Sequence, residues 1–185
     1  EIADGDWSSD VCSSDLYFFR RILASAMEKT NSGDVEWKEY EQRDDKLRRK
    51  ELSNAVGASE LGCSLYELLP DGESWPYHYH TANEEAVYIL EGEGTLRHKD
   101  GEEELVAGDF VSLPADESGG HQVVNDGDEP LRYLALSTMN EPDVTVYPEM
   151  EKFGVFVGSP PGGRDERRFH GYYRIEDDTE YWEGN

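Results

Sequence analysis

At 185 residues the chain is long enough for one domain with a substantial hydrophobic core. Its 42 acidic residues against 17 Lys and Arg give a formal net charge of −25, a surface that repels nucleic acid and anionic membranes. Four Trp, eleven Tyr and six Phe, with charges scattered rather than blocked, argue against a disordered acidic chain.

Residues 1–26 carry no amphipathic period and no link to the strand pattern of the remaining chain. The run DWSSDVCSSDL resembles a translated sequencing-adapter read. The segment is therefore expected to be non-native or a disordered tail, with a natural start near Met27. It contains Cys12. Neither Cys12 nor Cys63 belongs to a Cys-x-x-Cys pair, so no thiolate zinc site or disulfide framework is expected. No basic region precedes a long apolar core, and no apolar run nears the roughly 20 residues that span a bilayer. The cytoplasm is the expected compartment.

Residues 27–60 read as an N-terminal arm anchored by Val35, Trp37, Tyr40, Leu47 and Leu52, with a short helical turn around Glu39 to Lys46. The basic run Lys46, Arg48, Arg49, Lys50 is expected to be a solvated strand face paired with nearby acids, or else a contact with a second copy. Residues 61–69 (LGCSLYELL) form a strand ended by the Pro70-Asp71-Gly72 turn. The run EAVYIL from Glu85 is the next clear strand. Residues 94–98 and 102–106 then make a hairpin through Lys99-Asp100-Gly101. Residues 109–113, 121–125 and 131–138 complete a series of short strands divided by turn residues, which indicates an all-β barrel or jelly roll with its core at 61–139. Residues 140–185 read as a C-terminal extension packing on the barrel: VTVYP, FGVFVG and RRFHGYYRI as strands, PPGG as a loop, YWEGN as a docked end. Its plain role is to cover an edge, its sharper one a lid over the barrel mouth.

The chemistry concentrates near residue 80. His78 and His80 alternate, so on a strand both point to one face. Glu85 shares parity with Val87 and Ile89 and should face the interior, leaving Glu84 outside. His121 is placed to supply a fourth ligand. Three imidazoles and one carboxylate suit a divalent Fe, Mn, Co, Ni, Cu or Zn, and leave open positions for a substrate or dioxygen. Tyr77 and Tyr79 should face away from the metal. Trp75 and Tyr66 either line the pocket or fill the core. His98 is expected in solvent, and His170 has no partner spacing. Gly92 and Gly94 serve a turn, since no helix comes after them to make a phosphate loop.

The run Gly72, His78, His80, Glu85, Gly92 resembles the first motif of the cupin superfamily, with every spacing met. Gly108, Pro114, His121 and Asn125 match the second motif, with two extra residues between Pro114 and His121 and Asp116 where the pattern has Gly. The resemblance implies a double-stranded β-helix, a divalent metal on His78, His80, Glu85 and His121, a small-molecule ligand and a homodimer. The acidic composition resembles that of small haloarchaeal cupins and suggests adaptation to high salt. Two functions fit: a metal-dependent dioxygenase, isomerase or epimerase acting on a small oxygenated metabolite, or a non-catalytic binding or sensing module.

Overall fold

The computed structural model describes residues 27–41, 46–163 and 167–183. The readings of residues 1–26 and of Cys12 lie outside the described residues. Fourteen short strands make three antiparallel sheets among the described residues. The first has the order β1 (Lys38–Glu39), β2 (Leu47–Glu51), β3 (Leu61–Leu68), β11 (Leu131–Thr138), β6 (Glu85–Glu91), β9 (Phe110–Leu113). The second runs β4 (Gly72–Glu73), β10 (His121–Asn125), β7 (Glu93–His98), β8 (Gly101–Val106). The third runs β14 (Phe169–Arg174), β13 (Lys152–Val157), β12 (Asp143–Tyr147), β5 (Tyr79–His80). This is the all-β jelly-roll architecture that the strand spacing predicts. A short helix, α1 (Leu52–Ala55), comes directly after β2.

Alternation along the strands builds the core. In β6, Val87 and Ile89 are buried while Tyr88 and Leu90 turn outward and are partly exposed. They meet Leu47, Tyr66, Leu68, Leu113, Leu131 and Tyr133 of the same sheet, and Leu96, Leu105 and Val123 of the second. Each such aliphatic side chain contributes about 1.5–3 kcal/mol on burial. Asn125, fully buried, donates to the carbonyls of Leu68 and Glu129 and accepts from Gly127 N–H, tying the turn after β10 to the end of β3.

The segment before residue 61 does more than lead into the barrel, because β2 pairs along five residues with β3. The basic run is only half a solvated face: Lys46 and Arg48 are partly exposed. Arg49 and Lys50 are buried. Arg49 is satisfied by Ser64 Oγ and Glu51, and Lys50 by the Ser32 carbonyl. The expected ion pairing holds for Lys46 with Asp71, Arg48 with Glu67 and Arg49 with Glu51. Where a helical turn is expected from Glu39, Glu39 ends β1 and Glu41 lies in a 3-10 turn; residues 42–45 lie outside the described residues.

After residue 139, β12 pairs with β5, so the third sheet joins the C-terminal segment to the strand that carries His80. The end of the chain departs from expectation. Tyr181 and Trp182 are exposed and pack edge-to-face on one another, with ring centroids 4.7 Å apart, rather than docking on the barrel. No helix among the described residues is long and apolar enough to cross a membrane.

Candidate metal centre

His80 lies in β5, and His78 forms an isolated bridge with His121, the first residue of β10. The irregular backbone between β4 and β5 thus still delivers both imidazoles to one place, with ring centroids 5.3 Å apart. The His78 and His121 rings are 4.7 Å apart. Glu85 enters from the start of β6 and turns inward with Val87 and Ile89, as its parity predicts. Glu84 is exposed and accepts from Ser112 Oγ. Glu85 Oε2 lies 3.5 Å from His80 Nε2 and 3.8 Å from His121 Nε2. Donor atoms of His78, His80 and Glu85 all fall within 4.8 Å of one another, close enough for one metal ion to bridge them. His121 borders this group through His78 and Glu85.

The imidazoles are oriented by what their other nitrogens touch. His78 Nδ1 faces the Pro76 carbonyl at 2.8 Å and His121 Nδ1 the Gly119 carbonyl at 2.9 Å. A carbonyl only accepts, so Nδ1 carries the proton in both rings and the Nε2 lone pair is left for the centre. His80 Nδ1 meets the Asp143 carboxylate at 2.6 Å. Asp143 is fully buried and also accepts from Ala82 N–H and Thr145 Oγ1. Such partners hold metal-binding histidines in the ligating tautomer. The donor set therefore fits a divalent metal: neutral imidazole nitrogens and a carboxylate on convergent, buried supports.

The two additional residues before His121 have a structural role. Asp116 caps a 3-10 turn at Glu117–Gly119 by accepting from Ser118 N–H at 2.7 Å. Its φ of −159° is extended, so the glycine of the family pattern is not required there. The turn brings Gly119 against Pro114 so tightly that a Cβ would lie 2.0 Å from the Pro114 carbonyl oxygen. That close approach sets the carbonyl to which His121 donates.

Electrostatics separate the three histidines. Burial, and then the neighbouring His121 and His80, hold His78 well below the ordinary imidazole value. Burial also lowers His121, and the nearby Glu85 and the Gly119 carbonyl do not offset it. Burial opposes the charge on His80 too, but there the Glu85 and Asp143 carboxylates prevail and raise it.

These residues sit at one side of a cavity of about 530 Å³. Tyr66 and Trp75 both fill the core and line the cavity, with Trp75 Nε1 donating to Tyr66 Oη. Tyr77 is half-buried outside it, under Arg97. Tyr79 is half-buried in β5. His98 is half-exposed and accepts from Asp100 N–H in its own hairpin, and His170 is exposed on β14. Sequence reasoning did not find Asp143, Thr145 or Tyr147. A signal existed: in β12 these three alternate with Val144 and Val146, so they share one face. Tyr147 stacks on the His78 ring at 5.8 Å, and burial followed by the neighbouring Tyr172 raises its pKa. Also missed were the cavity cations Lys38, Arg49, Lys152 and Arg167, and Glu51.

Fold and site together define a β-barrel protein with a histidine–carboxylate centre open to a cavity. The family described as "Cupin domain" matches residues 64–137. A solved sugar phosphate isomerase of the cupin superfamily from Silicibacter pomeroyi is 27% identical, covering 81% of this chain and 94% of its own, with a TM-score of 0.69. A candidate sugar phosphate isomerase from Acidithiobacillus ferrooxidans is 30% identical, covering 79% of this chain and 88% of its own, with a TM-score of 0.64. The polyketide cyclase RemF from Streptomyces resistomycificus, at 24% identity and a TM-score of 0.53 over 61% of this chain and 80% of its own, shares the fold. No curated protein matches the sequence. The chain belongs to the cupin superfamily.

Proposed function

We propose that this chain is a metal-dependent isomerase acting on a small phosphorylated sugar. The observation that carries the reading is the set of three Nδ1-anchored histidines and Glu85 facing a cavity that also holds four basic side chains. The likeness to two structures named for sugar phosphate isomerisation, at 27% and 30% identity, supports it. His78, His80, Glu85 and His121 would hold a divalent metal, whose contribution when bound is Lewis-acid polarisation of a substrate carbonyl or hydroxyl oxygen.

The chain's own residues supply the rest. Aldose–ketose isomerisation moves one hydrogen between adjacent carbons and one between their oxygens. A base takes a proton from the carbon beside the carbonyl and returns it to the former carbonyl carbon, while the hydroxyl proton passes to the former carbonyl oxygen. Among the described residues, Glu51 is the cavity carboxylate outside the histidine cluster. Burial opposes its charge, yet Lys38 and Arg49 lower its pKa and keep it ionised, so it can accept a proton. Tyr66, Trp75 and Tyr133 close the cavity against the core and limit water around the reacting carbons.

A binding or sensing module is the second reading. It is favoured by the engagement of Glu51 with both Lys38 and Arg49, which leaves it a weak base. The two readings part in heavy water. Full-length protein with its measured metal is incubated with a panel of aldose and ketose phosphates in D2O, and deuterium entry at C1 or C2 is monitored by NMR. Exchange that disappears in Glu51→Gln, with metal content kept, supports the isomerase. Saturable binding without exchange on any sugar phosphate makes the chain a binding module.

A further inference from the structure

The cavity wall contributed by the C-terminal segment carries two cations that no carboxylate among the described residues neutralises. Lys152, at the start of β13, places its ammonium 5.2 Å from the Tyr147 ring centroid and 5.6 Å from that of Tyr172. Arg167 lies 5.3 Å over the Phe156 ring and donates to the carbonyls of Ser159 and Pro160. Aromatic faces and carbonyls hold a cation in place without cancelling its charge. Among the described residues neither side chain has a carboxylate partner.

The two cations belong to one surface. Phe156 and Tyr172 pack edge-on at 5.9 Å, with Arg167 against the first and Lys152 against the second. Gly154 makes room for that pair, since a Cβ there would lie 2.8 Å from the Phe156 ring and 3.0 Å from that of Tyr172. The wall continues to Arg49, which donates to the Gly162 carbonyl and shares Glu51 with Lys38. Four of the chain's 17 basic residues thus line one cavity, while its net charge is −25. The cavity carboxylates are Glu51, held by two of those cations, and Glu85, turned to the histidines. Basic groups converging in a partly enclosed cavity of an acidic protein form an anion trap.

We infer that the Lys152–Arg167 wall is an anion subsite that binds the phosphate group of a phosphorylated small molecule. A dianionic phosphate uses two cations on one wall better than a monocarboxylate does, and a guanidinium and an ammonium on that wall offer several charged donors to its oxygens. That the other end of the same molecule reaches the histidine cluster rests on the isomerase reading; the phosphate subsite itself does not.

The test titrates full-length protein with inorganic phosphate by calorimetry, before and after removal of bound metal with a chelator, alongside Lys152→Met, Arg167→Met and Lys152→Arg, each checked for folding by its melting curve. One phosphate per chain is expected. Each Met variant should weaken binding by about tenfold, the loss of a charge-assisted contact. Lys152→Arg should retain the affinity, and removal of metal should leave it unchanged. Absence of saturable binding, unchanged affinity in both Met variants, or loss of binding on metal removal overturns the assignment, the last by placing phosphate at the histidine centre. Acetate binding as tight as phosphate overturns it in favour of a carboxylate site. Failure of the isomerase reading is a separate result: phosphate binds, the Met variants lose it, and no sugar phosphate exchanges deuterium.

Discussion

His80 and Asp143, 63 residues apart in the chain, share a 2.6 Å hydrogen bond between Nδ1 and a carboxylate with no exposed surface. The contact exists because β12 pairs with β5 and sets Thr145 opposite His80. It fixes the ring and leaves Nε2 toward Glu85. Asp143→Asn keeps the shape and removes the charge. Metal affinity should fall about 10- to 100-fold, as for other loss of support behind a ligating histidine. Competition with a chromophoric chelator measures this, and parental affinity in the variant would show that Asp143 does not support the centre.

The opposed pKa shifts give a pH signature. His80 is raised above the ordinary imidazole value, whereas His78 and His121 are lowered and stay neutral in mildly acidic solution. As pH falls from neutral, His80 is the first to take a proton that a metal must displace. Metal affinity should therefore fall on acidification, with the pH midpoint of binding set first by the raised His80. Asp143→Asn should move that midpoint down even while weakening affinity. In the metal-free chain the signs differ. His78 and His121 bind protons more readily unfolded than folded, so their contribution to stability is lost as pH falls through the unfolded value toward their lowered folded values. The raised His80 contributes stability that is present below the unfolded value and is lost as pH rises through its folded value. With two histidines against one, melting temperature should drop on acidification below about pH 6.5. A flat profile from neutral pH to about pH 5 would contradict the shifts.

Glu67 links three strands. It sits opposite Arg48 of β2 and Arg132 of β11, with Nε of each 2.6 Å from one of its oxygens, and is itself fully buried. Both guanidiniums are partly exposed, so solvent moderates the cost of losing the acid. Glu67→Gln should destabilise the fold by roughly 1–3 kcal/mol, below the range for a wholly buried pair. Urea unfolding measures it, and because Glu67 is remote from the histidines in its contacts, metal content should be unchanged.

Much of the barrel was legible because its strands are short, alternating and punctuated: β10 and β11 begin and end where the pattern places them. The convergence of His78, His80, Glu85 and His121 was legible from their spacing. Asp143 was not, since one acid among 42 acidic residues carries no mark until a non-local strand pairing brings it to His80. The same holds for Arg49. A basic run in sequence looks solvated, and burial becomes tolerable only when Ser64 and Glu51 supply partners from the sheet. Lys152 and Arg167 were hidden for a related reason, because the wall they form depends on how β13 and β14 pair.

The charge of −25 bears on stability through like-charge repulsion. It is concentrated in places. Glu102, Glu103 and Glu104 are successive exposed residues on the outer strand β8, and Glu93, Glu104 and Asp126 surround one shallow hollow. Such charge blunts a sheet edge against pairing with other chains, but it opposes the compact state at low ionic strength. Raising KCl from about 0.1 M to about 2 M shortens the screening length from roughly 10 Å to below 3 Å, which removes most of that repulsion. Melting temperature should rise by several degrees over this range, and Glu104→Lys should gain stability at the low-salt end while reducing the dependence on KCl. A parent chain that melts at the same temperature throughout would mean that the acidic surface is tolerated without screening, as in an acidic protein from a low-salt setting.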